Sequence, residues 1–246
     1  MTTFFSESTL GLLALEPPGR GSFLLTGFLN SLMIAIGATM LGLTIGIVGA
    51  WSKLYGGPMA RDLAGVYTTI VRAVPELVLI LILYFAGTDL VNRLLAALGY
   101  PPTDINGVVA GIFVLGFVQG AYSTEVLRGA ILSIPQGQIE AARAYGMSPM
   151  LLMRRITLPA MLPFAIPGLA NLWLIATKDT ALLAIVGVNE LTQVTRTAAG
   201  ATKAYFTFFM AAGAIYLTLT LFSNAIISRI ERWARRGMPA AAGGAQ

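Results

Sequence analysis

Arg72 and Glu76 stand four residues apart, on one face of any helix that carries them, with Pro75 between them in an otherwise apolar run. An ionisable group inside such a run is costly unless it faces a bundle interior, a cavity or a partner. Two readings are open: a mutual ion pair bracing a kink at the proline, or a pair of charges at a path or gate for a polar solute. A second set, Asn171, Trp173, Lys178 and Asp179, offers hydrogen-bond donors and acceptors along and just past another apolar run. A third is the charged, helix-prone stretch Glu140-Ala141-Ala142-Arg143-Ala144-Tyr145-Gly146, followed after nine intervening residues by Ile156-Thr157-Leu158-Pro159. None of these sets suits covalent or acid–base catalysis by thiol or imidazole, because the chain has neither Cys nor His. The G-x-x-x-x-G-K-[ST] phosphate loop is also missing, so ATP is not bound and split here in that manner.

The elements that hold these residues must sit in lipid. Of 246 residues, 56% are hydrophobic and 11% charged, and the mean hydropathy is +0.77. Soluble domains carry about 25% charged residues. The net charge of +5 falls in short segments beside apolar runs, as expected of the flanks of membrane spans rather than of a nucleic-acid surface. Residues 1–20 lack a basic start and an A-x-A site and carry Glu7 and Glu16, unlike a cleaved signal peptide.

A run of about 20 apolar residues crosses the hydrocarbon core as a helix, since backbone groups in lipid must pair within their own segment. Five such runs are expected, near 23–50, 63–85, 107–133, 160–176 and 205–230. The loops holding Lys53, Arg61 and Asp62, then Glu140, Arg143, Arg154 and Arg155, and the tail holding Arg229, Arg232, Arg235 and Arg236 against Glu231, all carry net positive charge. Basic loops favour the cytoplasm, which puts the N-terminus outside and the C-terminus and the Glu140 loop inside. The loop with Lys178, Arg196 and Lys203 fits this less well. The chain divides into an external segment, 1–22, a membrane domain, 23–236, containing the loop 135–159, and an Ala/Gly-rich tail, 237–246, of disordered composition.

Within that loop, Pro135 turns the chain, and a short helix over 138–145 is expected to stop at Gly146 in a left-handed cap. Ser148 and Pro149 read as the N-cap and first residue of a second helix, which should break before Pro159. Ala141, Ala142 and Ala144 leave a smooth surface, edged by Glu140 and Arg143. By composition alone this could be an amphipathic helix lying on headgroups or a docking element.

A resemblance to a known family favours the docking element. The EAA stretch, Gly146 and the Ile156-x-Leu158-Pro159 end resemble the cytoplasmic loop of ABC-importer permeases, and the resemblance implies that Glu140, Ala141, Ala142, Arg143, Gly146, Ile156, Leu158 and Pro159 couple to an ATPase. Tyr67-Thr68-Thr69-Ile70-Val71-Arg72-Ala73-Val74-Pro75-Glu76-Leu77 resembles the second-span signature of polar amino-acid permeases. Gly120-Ala121-Tyr122-Ser123-Thr124-Glu125 with Arg128-Gly129-Ala130, and Lys178-Asp179-Thr180-Ala181-Leu182, resemble later segments of the same family, so that residues 25–235 follow its order. The nearest likeness is to the histidine/lysine/arginine/ornithine and opine permeases.

The family resemblance implies an all-α integral membrane protein of the type I ABC-importer permease fold in a bacterial inner membrane. It implies a non-catalytic subunit without a cofactor of its own, ATP and Mg being bound by two partner ATPases. A second permease subunit, identical or paralogous, a periplasmic solute-binding protein and a polar, basic amino acid complete the expected assembly. Arg72, Glu76, Asn171, Trp173, Lys178 and Asp179 are the candidates for the substrate path or gate. Leu172 stands where some members carry an acidic residue, so a partner permease could supply the pocket. Glutamate, glutamine or cystine are alternative substrates. An ATP-independent carrier is disfavoured, because carriers usually show inverted repeats and no repeat is visible here. A membrane enzyme is disfavoured by the missing His, Cys and clustered carboxylates.

Overall fold

The computed structural model describes residues 11–16 and 19–236. A 3-10 turn, Gly11–Leu13, precedes α1 (Gly21–Tyr55), α2 (Pro58–Ala73), α3 (Glu76–Ala97), α4 (Gly107–Leu132), α5 (Gln136–Ala144) and α6 (Pro149–Leu152). A π turn, Met153–Thr157, joins α6 to α7 (Leu158–Asp179). A 3-10 segment, Thr180–Val186, leads to α8 (Leu191–Thr202) and α9 (Tyr205–Ala234). No strand occurs among the described residues. Among the described residues, five segments are long and apolar enough to cross a membrane: α1, α3, α4, the run Pro149–Val186 and α9.

The centre of the bundle is the contact of α1 with α4. Lipid gives no hydrophobic drive to bring two apolar helices together, so close approach over small residues must do it. Gly42 and Gly46 of α1 receive Gln119 and Ser123 of α4; a methyl group added at either glycine would lie 2.7 Å or 2.5 Å from the facing Cβ. Gly116 and Gly120 of α4 receive Leu41 and Ile45 in return. A Gly42-x-x-x-Gly46 stripe on α1 thus meets a Gly116-x-x-x-Gly120 stripe on α4.

Two expected spans are drawn differently by the structure. The run near 63–85 is not one helix. Pro75 has no N–H and forces the residue before it out of the helical region, so Val74 is extended (φ −92°, ψ 139°) and α2 ends at Ala73. The crossing helix is α3, which begins at Glu76 and continues past Phe85 to Ala97. Asp89 and Arg93, beyond the end of the expected run at residue 85, lie in its last turns as an i,i+4 pair at 2.7 Å.

The fourth expected span is longer than 160–176, and no break precedes Pro159. The Leu158 N–H reaches back five residues to the Met153 carbonyl, and the widened turn makes room for the Pro159 ring. The helix therefore runs without interruption from the loop into the span. The remaining spans begin or end a few residues away from the apolar runs, α1 reaching Tyr55 and α9 reaching Ala234. The tail 237–246 and most of the N-terminal segment lie outside the described residues.

Candidate functional site

Two helix discontinuities meet at the level of the middle of α4. One is the Val74–Pro75 break, which places Arg72 in the last turn of α2 and Glu76 in the first turn of α3. The other is the end of α7, where Lys178 and Asp179 precede the 3-10 segment. Arg72 and Lys178 at helix C-termini and Glu76 at a helix N-terminus suit the helix dipole, whereas Asp179, a carboxylate on the last residue of α7, does not. Residues of α3 pack on the 3-10 segment through Ile80 and Leu183, both fully buried, which holds the two breaks side by side.

The Glu76 and Asp179 carboxyls come within hydrogen-bonding reach of one another. Asp179 Oδ2 is buried and receives no hydrogen from any described residue. The Tyr122 phenol, from α4, lies in the field of Arg72, Glu76 and Asp179. Arg72 and Lys178 are exposed on the surface of the chain, as is Asn171, two turns before Lys178 on the same face of α7. Trp173 points elsewhere: its indole N–H donates to Ser223 Oγ of α9 at 3.0 Å, bracing α7 against α9. The structure thus brings Glu76 and Asp179 together beside Lys178, with Arg72 reaching the same Tyr122, sets Asn171 on the Lys178 flank and turns Trp173 away. The ion pair expected between Arg72 and Glu76 does not form among the described residues, because the Val74–Pro75 break puts the two on separate helices. Tyr122 joins them without a sequence signal beyond its place in the family-like segment.

The second candidate region is the 135–159 loop. Gly146 has φ +74°, its N–H reaches the Arg143 carbonyl at 2.9 Å, and the Met147 N–H reaches Ala142 O at 3.1 Å. That pair of bonds closes α5 in a Schellman cap, which needs a residue able to adopt positive φ. Ser148 Oγ accepts the Leu151 N–H at 3.4 Å as N-cap, with Pro149 at the first helical position.

Glu140, Ala141, Arg143, Leu158 and Pro159 are exposed, and Ile156 is half-buried. Tyr145 and Met150 are 88% and 77% exposed, large apolar groups with nothing of this chain against them. Ala142 faces inward and is buried. Ile139 packs into the cluster of Ala50, Leu127, Ala130, Ile134 and Met161, so the short helix is seated on α1, α4 and α7 together.

A third polar centre lies at the opposite end of the bundle. Glu190 is fully buried and caps α8, accepting the Thr192 and Gln193 N–H groups at 2.8 Å and 2.7 Å. Ser31 Oγ of α1 and the Tyr216 hydroxyl of α9 donate to Glu190 Oε2 at 3.3 Å and 3.2 Å. Burial pushes this carboxyl above its usual range, and the four donors oppose that shift.

Comparison with known proteins identifies the fold and the family. The family profile of binding-protein-dependent transport system inner membrane components matches residues 42–236. The histidine/lysine/arginine/ornithine transport system permease protein HisQ of Escherichia coli (strain K12) is 38% identical over 214 residues, 87% of this chain and 94% of that protein. The nopaline transport system permease protein NocQ of Agrobacterium fabrum is 39% identical over 233 residues, 93% of this chain and 98% of that protein. A solved amino acid ABC transporter with histidines aligns at a TM-score of 0.75 and 26% identity over 87% of this chain and 95% of its own. An inward-facing MetNI methionine ABC transporter shares the fold, with a TM-score of 0.71. The chain belongs to the family of binding-protein-dependent transport system inner membrane components and is a permease subunit of an ABC importer.

Proposed function

We propose that this permease carries basic amino acids inward across a bacterial cytoplasmic membrane, its N-terminus outside and the α5–α6 loop in the cytoplasm. The observation that carries this reading is the set of charges at the two helix breaks. Arg72 and Lys178 are exposed on the single chain beside the Glu76 and Asp179 carboxyls. Charged groups at that depth do not face lipid, so this face borders an aqueous path and a second permease subunit. A basic amino acid brings one carboxylate and two cationic groups. Arg72 and Lys178 suit the first; the paired carboxyls, with Asp179 Oδ2 lacking a donor, suit a cationic group. The relatives named for histidine, lysine, arginine and ornithine, and for nopaline, support the substrate class.

Energy enters through the loop. Two partner ATPases take the exposed Glu140, Arg143, Tyr145 and Met150 surfaces, one from each permease, and ATP and Mg stay with those partners. Because α5 is seated on α1, α4 and α7, and the π turn continues into α7, a shift of the loop moves the helix that ends at Lys178 and Asp179. A solute-binding protein delivers substrate at the α8 end. The test is ATP-driven uptake by the reconstituted complex. Arginine, lysine, ornithine and histidine should enter, and Asp179→Asn with Glu76→Gln should depress their uptake. Preferential uptake of glutamate, unaffected by either substitution, would contradict the reading.

A further inference from the structure

From the mid-depth cluster toward the α5 end, α1, α2 and α4 border a separate, open polar recess of about 340 Å³, lined by Lys53, Thr68, Thr69, Arg72, Ala73 and Glu125. Its floor is an ion bridge. Lys53 Nζ donates to Thr68 Oγ1 and to Glu125 Oε1, each at 2.5 Å. Arg128 donates to Glu125 Oε2 from Nη2 at 2.9 Å and from Nε at 3.1 Å. Past this floor lies a second opening of about 520 Å³, which shares Lys53 and includes Arg61, Asp62 and Arg128.

The bridge leaves defined capacity unused. An ammonium has three N–H donors and Lys53 uses two; a carboxylate has about four acceptor sites and Glu125 uses three. Arg72 makes no hydrogen bond to any described residue, so its guanidinium is free. The recess therefore offers an unused ammonium N–H and a guanidinium to an anionic group. It offers a carboxylate lone pair and the Thr69 hydroxyl to a cationic one. A simple anion would meet Glu125, and a simple cation would meet Lys53 and Arg72. A zwitterion satisfies both sides.

We propose that this recess is a second station for the transported amino acid, holding its α-carboxylate on Arg72 and Lys53 and its α-ammonium on Glu125. The proposal rests on the amino-acid import reading and adds a site to the path. Arg72 borders both the mid-depth cluster and this recess. Its guanidinium can keep hold of the carboxylate while the rest of the molecule passes the break at Val74. The Lys53–Glu125–Arg128 bridge then separates the station from the opening beyond it.

The chain has no Cys, so Thr69→Cys gives it a single thiol in this recess. The assembled, nucleotide-free complex in nanodiscs is treated with a small charged thiosulfonate, with arginine or its decarboxylated amine, agmatine, as probe. Arginine at ten times its Kd should slow modification about tenfold, and agmatine should not. Glu125→Gln should abolish the protection, while Lys53→Arg, which keeps the cation, should retain it. Modification at one rate with and without arginine, or equal protection by agmatine, overturns the proposal. If the complex still imports arginine in that case, the station is wrong and the import reading stands; if it imports no amino acid, the import reading itself fails.

Discussion

Ser31 Oγ, in the first span, donates to the Glu190 carboxylate at 3.3 Å and accepts the Leu191 N–H at 3.0 Å, across 159 and 160 residues of sequence. Asn30 Nδ2, beside it, donates to the Asn189 carbonyl at 2.7 Å. These bonds and that from Tyr216 pin α8 between α1 and α9 at the end of the bundle where substrate is proposed to enter.

Replacing Glu190 by Ala would strand two backbone N–H groups and two hydroxyls in a buried place, at a cost of at least about 2 kcal/mol. Thermal unfolding in detergent checks this. The pH dependence has a definite sign. The folded-state value is raised above the usual 4.5, so the contribution of Glu190 is fully present below pH 4.5 and is lost as the pH rises through the folded value. The Tm advantage of the native chain over Glu190→Gln should therefore shrink on going from acid toward neutral pH. An advantage that grows with pH would show the carboxylate to be favoured by its surroundings.

Gly46 and Gly129 lie in helices whose packing differs. A Cβ at Gly46 meets Ser123, whereas one at Gly129 has nothing within 4 Å. Gly46→Ala should destabilise by about 1–3 kcal/mol through separation of α1 from α4. Gly129→Ala should stabilise by about 0.5–1 kcal/mol through its backbone alone. Chemical unfolding of the two variants tests the opposite signs.

The loop makes a separate prediction. Gly146→Arg meets the strain of positive φ at the Schellman cap, and Glu140→Lys reverses an exposed charge. Both variants should insert normally and lose the ATPase during purification. Retention of the ATPase by both would remove the coupling assignment.

The capping of α5 and α6 was legible because it is local. Gly146, Ser148 and Pro149 act on backbone within a turn of themselves, and each does so in the structure. The membrane class and the number of spans were also legible, since hydropathy is additive along a run. Boundaries suffered for the same reason: averaging across Val74–Pro75 hid a break that depends on one missing N–H. Continuation through Pro159 was hidden too, because a π turn has no composition of its own. Least legible were polar bonds between helices. Nothing in the spacing of Lys53 and Glu125, 72 residues apart, or of Ser31 and Glu190 announces that they meet.

Arg72 and Arg93 give the contrast that tests the mid-depth cluster. Arg93 is 77% exposed and held by Asp89 on its own helix, a pair worth about 0.5 kcal/mol or less. Arg72→Ala should cut uptake at least about tenfold, a loss near 1.4 kcal/mol in the transport step, while Arg93→Ala leaves it near native. Initial uptake rates at matched expression decide it, and equal rates would show that Arg72 has no special place.

In the proposed function, this bundle moves its solute only with energy borrowed through the α5–α6 loop. ATP hydrolysis by the purified complex, measured across an amino-acid panel with the binding protein present, tests it most directly. Basic amino acids should stimulate hydrolysis, and Gly146→Arg should abolish that stimulation. Hydrolysis indifferent to every amino acid, or uptake by the isolated chain along a proton or sodium gradient, would contradict it.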